Sequence, residues 1–288
     1  MTRPQVSFEF FPPRTVEASF RLWDSVQTLA PLEPRFVSVT YGAGGTTRSL
    51  TQEAVHALHA TTDLTVAAHL TCVEASRAET LQTARDFVAA GGSEIVALRG
   101  DPPKGRERFE THPEGFASSV ELVAALREAL DVTIRVGAYP EPHPEALSPQ
   151  ADIDWLKAKL DAGADEAITQ FFFEADTFLR FRDACARAGI DHPITPGILP
   201  IESWSGAKRF AARCGMDVPA WLDEAYTRAD RDNRAELLSV ALATEMCDTL
   251  LEEGVQALHF YTLNRPHLTR DICHALGITP QSDLRKVA

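Results

Sequence analysis

The sequence predicts an α/β protein, a single (β/α)8 TIM barrel over residues 1–288 with extra helices between the seventh and eighth strands. Three observations carry that expectation. Eight short apolar, β-branched runs recur with helical patterns between them, and their scant polar alternation suits parallel strands buried on both faces. Strand ends near Glu9, Thr40, His69, Arg99, Tyr139 and Gln170 fall roughly thirty residues apart, the length of one βα unit. The 288 residues suit a barrel, which needs about 250. The G-x-G-x-x-G turn of a dinucleotide-binding open sheet follows none of the runs.

In order, QVSFEF is the first strand, and Thr15 caps the helix that begins at VEASFRLW. RFVSVTY and LTVAAHL follow as strands two and three. Ser76, with Glu79 three residues on, forms a capping box for a helix reaching Ala90. EIVALRG is strand four, and Ser118 to Leu130 repeats apolar residues every three or four positions, as a helix on a sheet requires. TIRVGAY, EAITQFF and PITPGIL supply strands five to seven. Nearly sixty residues, Pro200 to Gln256, then hold two or three helices before ALHFYTL, the eighth strand. Gly91, Gly163, Gly189 and Gly254 each follow a helical pattern, where helices commonly end. The polar tail from Pro280 to Ala288 is expected to fray.

The 41 acidic and 28 basic side chains leave a formal charge of −13, which argues against nucleic acid as a partner. No apolar stretch is long enough for a membrane helix, and MTRPQVSFEF lacks the features of a secretory signal, so a cytoplasmic location is expected. The five cysteines, Cys72, Cys185, Cys214, Cys247 and Cys273, lack CxxC or zinc spacing. They are expected to be reduced thiols, mostly in the core, with no metal site.

A barrel of this kind places its active site at the C-terminal ends of the strands. Glu9, Thr40, His69, Arg99 with Asp101, Tyr139, Gln170 and Tyr261 occupy that position in seven of the eight units. Glu9 lies between Phe8 and Phe10-Phe11, where burial should raise its pKa toward that of a general acid. The alternative is a structural ion pair with an arginine. Arg99-Gly100-Asp101-Pro102-Pro103 reads as a tight turn in which Gly100 lets a ligand approach the backbone, or as a plain surface turn. His69 and Thr40 could simply satisfy nearby backbone groups. The prolines of AYPEPHPEA fix the backbone around Tyr139 and His143. Gln170 is placed to hold an amide-bearing ring, or is a satisfied buried amide, and Phe171, Phe172 and Phe173 read as core.

These segments carry a resemblance. FEFFPPRT, SVTYGAGGTTR, HLTC, ALRGDPP, GAYPEPHPEA, DAGADEAITQFFF, PGILPI and HFYTLNR, in that order from about residue 7 to residue 278, resemble the bacterial type of methylenetetrahydrofolate reductase. By that resemblance a bound FAD lies across the barrel mouth. The positions matching its contacts are Thr40, His69, Arg99, Gly100, Asp101, Ala117, Tyr139, His143, Ala146, Asp152 and Lys159. The implied reaction is ping-pong: NADH or NADPH reduces the flavin, then 5,10-methylenetetrahydrofolate receives the hydride and leaves as 5-methyltetrahydrofolate.

Glu9 matches the general acid of the folate half-reaction and Asp101 the carboxylate that contacts the pterin and tunes the flavin. Gln170 and Phe210 match positions that meet both substrates, and Arg265 one near the folate tail. The resemblance implies a homo-oligomer, with dimer and tetramer both open. No ribose-reading residue can be placed by motif, so both nicotinamide coenzymes stand. Ser49-Leu50-Thr51 departs from the charged residues usual after GAGGTTR. Two rival readings remain: a barrel using another redox carrier or none, and a folate-binding protein without turnover.

Overall fold

Each strand has two faces that do different work, and their alternation explains the fold. Residues i and i+2 of a strand share a face. Val6, Phe8 and Phe10 of the first strand are buried with Val37, Val39, Val66, Leu70, Ile95, Ala97, Ile134 and Val136 in one large apolar core. The opposite parity builds a smaller cluster of Phe36, Ala67, Val96 and Ile168. The first set meets the helices and the second fills the barrel. Residues 3–41, 48–102, 105 and 108–280 are described by the structure, a computed structural model. The run at 42–47, Pro103 and the tail at 281–288 fall outside the described residues.

The strands are β1 (Gln5–Phe10), β2 (Val37–Val39), β3 (Val66–Thr71), β4 (Glu94–Leu98), β5 (Thr133–Ala138), β6 (Glu166–Phe171), β7 (Ile194–Ile198) and β8 (Ala257–Tyr261). They close in sequence order, and β8 pairs in parallel with β1 through Ser7 opposite His259 and Glu9 opposite Tyr261. The helices used below are α1 (Val16–Leu29), α2 (Arg48–Thr61), α3 (Arg77–Ala89), α4 (Ser119–Ala129), α5 (Pro149–Asp161) and α6 (Ala175–Arg187). The insertion before β8 holds α7 (Trp204–Arg213), α8 (Ala220–Arg231) and α9 (Ala235–Glu252), and α10 (Pro266–Ala275) follows β8. Thr15 Oγ1 caps α1 by accepting from Ala18 N at 3.2 Å, and the capping box at Ser76 and Glu79 is formed at the head of α3.

The barrel interior departs from the expectation of uniformly apolar strands. Near the N-terminal ends of the strands Arg135 of β5 meets Glu94 of β4 and Glu166 of β6, while Arg35 reaches Glu166 at 3.1 Å and Thr195 of β7 donates to it. Arg135 is 3% exposed and its guanidinium lies 3.7 Å from the centre of the Phe36 ring. Burying these charges is tolerable because each is paired; removing one partner of such a pair typically costs about 3–5 kcal/mol.

Candidate active site at the barrel mouth

The inward parity that carries Arg135 and Glu166 at the base carries Glu9, Thr40, His69, Tyr139, Gln170 and Tyr261 at the other end. The strand-end residues therefore converge as the sequence predicted. Glu9 is the most constrained of them. Its Oε2 lies 3.2 Å from Nε2 of His69 and 3.8 Å from Nε2 of His259. Both ring nitrogens are buried and make no aligned hydrogen bond. Nδ1 of His259 lies 2.8 Å from Ser7 Oγ.

That environment overturns the expectation of a raised carboxyl pKa. Burial does push Glu9 upward, but the contacts and charges of His259 and His69 outweigh it and hold the group down at about 2. The alternative of an arginine partner also falls, because the partners are imidazoles. His259 and Ser7 are functional neighbours that strand-end reading missed. The signal available was parity: Ser7 stands two residues before Glu9, and His259 two before Tyr261.

On β7, Gly197 makes room for the mouth. A Cβ there would sit 2.1 Å from Thr169 O and 2.6 Å from the Tyr261 ring. Without it, Tyr261 crosses the strand and donates to Thr169 O at 2.6 Å. Pro196 has no N–H to give, and the β6–β7 pairing shifts register between Ile168 and Phe171.

Beside this group a cavity of about 490 Å³ runs over the ends of β3, β4 and β5, within the ~300–1,000 Å³ usual for cofactor sites. Nine of the eleven expected cofactor positions line it. Arg99, Gly100 and Asp101 come from the turn after β4, where Gly100 has φ +88° and a Cβ would press on Val73 at 2.5 Å. Arg99 Nη1 bonds Glu145 at 2.6 Å, tying this turn to the loop after β5. In that loop Asp152 Oδ2 accepts from His143 N at 2.8 Å, and the His143 ring meets Tyr139 edge-on at 4.8 Å. Burial and the nearby Asp101 charge push the Tyr139 hydroxyl up to about 12.

Ala117 and Ala146 complete the walls, and Lys159 of α5 reaches in from the side. Its ammonium is buried, donates to Gly137 O and has no paired carboxylate among the described residues; burial pulls it down to about 8 despite Asp152. The remaining two positions lie apart. Thr40 lines a cavity toward α1, and His69 one between α2 and α3. Tyr41, Thr71, Phe109 and Trp155 also line the main cavity and were not singled out in the sequence.

The expected substrate positions are less tightly grouped. Gln170 accepts from Phe171 N at 3.0 Å and lies 3.6 Å from Cys214 Sγ, at the end of α7. Phe210 of α7 stacks on Phe171 with centroids 5.0 Å apart. Arg265 pairs with Glu202 at 3.1 Å, on the β7–α7 side of the mouth. All five cysteines are free; Cys72, fully buried, is held up at about 12 by burial, which fits a core thiol. Among the described residues no His, Cys, Asp and Glu cluster could hold a metal, and no helix is long and apolar enough to cross a membrane.

Comparison with known proteins agrees with the motifs. The family model described as methylenetetrahydrofolate reductase matches residues 1–277. The 5,10-methylenetetrahydrofolate reductase of Escherichia coli is 48% identical over 276 residues, covering 96% of this chain and 91% of that one. The Salmonella typhimurium protein of the same name is 47% identical, with the same coverage. Among solved structures, an uncharacterized protein from Clostridium thermocellum that binds two copies of 5-methyl-5,6,7,8-tetrahydrofolic acid shares the fold. Its TM-score is 0.61 at 14% identity, covering 99% of this chain and 96% of that one.

Proposed function

The chain belongs to the methylenetetrahydrofolate reductase family, and from that premise we propose that it reduces 5,10-methylenetetrahydrofolate to 5-methyltetrahydrofolate with NADH or NADPH, through a bound FAD, by a ping-pong route. What carries this reading is the single cavity lined by nine of the eleven expected flavin positions. The residues fit the group. Lys159, a buried cation without a carboxylate partner, suits a diphosphate, and the bare backbone at Gly100 suits close approach of a ring. When bound, FAD would carry the hydride between the coenzyme and the folate.

The protein's own contribution is binding, orientation and a proton. Arg99 with Glu145, and Asp152 with His143, fasten the two loops that frame the cavity and fix its geometry. Phe210 offers a half-buried aromatic face, and the free Nε2 of Gln170 faces only a sulfur, a weak acceptor that a substrate oxygen would replace. Asp101 places a negative charge at the cavity wall. Glu9 is proposed to protonate the folate nitrogen that departs as the five-membered ring opens. Two imidazoles hold its carboxyl below the usual range, so delivery requires that at least one of them be drawn away. Burial alone would then raise the carboxyl into the range of an acid.

The purified protein is expected to be yellow, with flavin absorbance bleached by NAD(P)H under anaerobic conditions and restored by methylenetetrahydrofolate. Colourless protein that neither takes up FAD nor turns over would refute the proposal. Bleaching without reoxidation by the folate would favour a binding protein.

A further inference from the structure

The last turn of α7 lies over the tip of β6 and brings a thiol to the barrel mouth. Phe210 and Cys214, four residues apart and so on one side of the helix, both meet β6. Phe210 stacks on Phe171, and Cys214 Sγ lies 3.6 Å from Gln170 Nε2. The helix end is fixed. Cys214 N donates to Phe210 O at 3.2 Å, and Gly215, at φ +68°, turns the chain where a Cβ would press on Pro144 at 2.8 Å.

The Gln170 amide has one way to face. Where the β6–β7 pairing shifts register, Phe171 N donates to the side-chain Oε1 of Gln170 at 3.0 Å. A flipped amide would set its NH2 against that donor, so Nε2 is the end that points to α7, where Cys214 Sγ accepts from it. The thiol differs from the other four. Cys72, Cys185, Cys247 and Cys273 are fully buried in the core, whereas Cys214 is half-buried and lies within the fields of Asp101 and Tyr139. Burial and the Asp101 charge push it up, so it stays protonated at neutral pH. A thiolate would hold the amide through a charge-assisted bond; a neutral sulfur is a weak acceptor. The amide N–H is therefore aimed but barely engaged.

We propose that Cys214 is a positioning residue for both substrates: its sulfur keeps Gln170 Nε2 aimed into the mouth and yields it readily to the carbonyl oxygen of an incoming amide-bearing ring, nicotinamide or pterin. The inference rests on the function proposed above, in which both rings visit the same mouth in turn. A hydroxyl in place of the thiol would hold the same N–H more firmly, and each substrate would first have to break that bond. A methyl would hold nothing. The weakness of sulfur as an acceptor is thus what the position requires, and its effect on turnover passes entirely through Gln170.

The test measures KM and kcat for NAD(P)H and for methylenetetrahydrofolate in the wild type, in Cys214→Ser and in Cys214→Ala, and repeats the serine and alanine substitutions in a Gln170→Ala background. Cys214→Ser should raise KM for both substrates about three- to tenfold, the worth of one neutral hydrogen bond, with a smaller effect on kcat. Cys214→Ala should raise it less. Packing alone predicts the reverse order, since serine keeps a polar group of similar size and alanine leaves a gap. Without the Gln170 amide the serine and alanine variants should become equal. Alanine as harmful as serine, a difference between them that survives the loss of Gln170, or an effect on one substrate alone would each overturn the proposal. Wild-type protein that neither takes up FAD nor turns over would instead overturn the underlying function, and this inference with it.

Discussion

Replacing Glu9 by Gln removes one charge and almost no volume from the most constrained position at the mouth, and its effects can be sized. The two imidazoles lower the carboxyl from 4.5 to about 2, and at ~1.4 kcal/mol per unit that makes the ionised form worth about 3 kcal/mol to the folded state. A depressed carboxylate pKa gives stability that is complete above the unfolded value near 4.5 and is lost as pH falls through the folded value near 2. The variant, uncharged at every pH, should therefore unfold about 3 kcal/mol more easily at pH 7, and the gap should narrow to about 2 kcal/mol at pH 3.5. Urea unfolding at the two pH values measures both numbers. Single-turnover kinetics supply the catalytic half. NAD(P)H should still reduce the flavin, while folate reduction falls about 10²–10⁴-fold, the usual contribution of a general acid. Equal losses in the two half-reactions would show that Glu9 only holds the site together. A pH-independent stability gap would refute the electrostatic argument, whatever the kinetics.

Other expectations are narrower. Lys159→Met should weaken FAD binding to the apoprotein about ten- to a hundredfold, read from the dissociation constant, as expected for loss of a charge-assisted bond. In the wild type the same affinity should decline as pH rises through about 8, because an anion binds the protonated ammonium; a flat profile would exclude Lys159 as the diphosphate partner. Glu166→Gln leaves Arg135 and Arg35 without their shared counter-charge and should cost about 3–5 kcal/mol in urea unfolding; a cost below 1 kcal/mol would mean the base of the barrel rearranges freely. Gly197→Ala drives a methyl into Thr169 O and the Tyr261 ring and should destabilise by about 1–3 kcal/mol, and an unchanged melting temperature would contradict the crossing seen here.

The barrel was legible in the sequence because strand spacing and helix caps are local signals. Thr15, Ser76 and Glu79 act where expected, and three helices fill the long insertion between β7 and β8. The cavity was legible in part: Arg99, Gly100, Asp101 and Tyr139 stand at or just after strand ends, whereas Asp152, Trp155 and Lys159 reach it from α5. What escaped were relations between strands. Arg135 lies in TIRVGAY, which looks like a buried strand with one misplaced charge; only closure of the barrel shows that Glu94 and Glu166 stand beside it on the neighbouring strands. Likewise the aromatic neighbours of Glu9 in sequence face the helices, while His69 and His259, distant in sequence, face the carboxyl. Local composition implied a raised pKa, and tertiary contacts reversed the sign.

The ring of Phe36 has the Arg135 guanidinium 3.7 Å from its centre and the His259 imidazole 5.8 Å away, 18° from parallel. It works as a partition between two storeys of the barrel. Below it, strong charges are locked in fixed pairs; above it, titratable groups are left adjustable. The aromatic ring meets both the guanidinium and the imidazole through its π-system. A charge change at the base is therefore felt twice, as the loss of a buried partner and as an altered field at the imidazole beyond the ring.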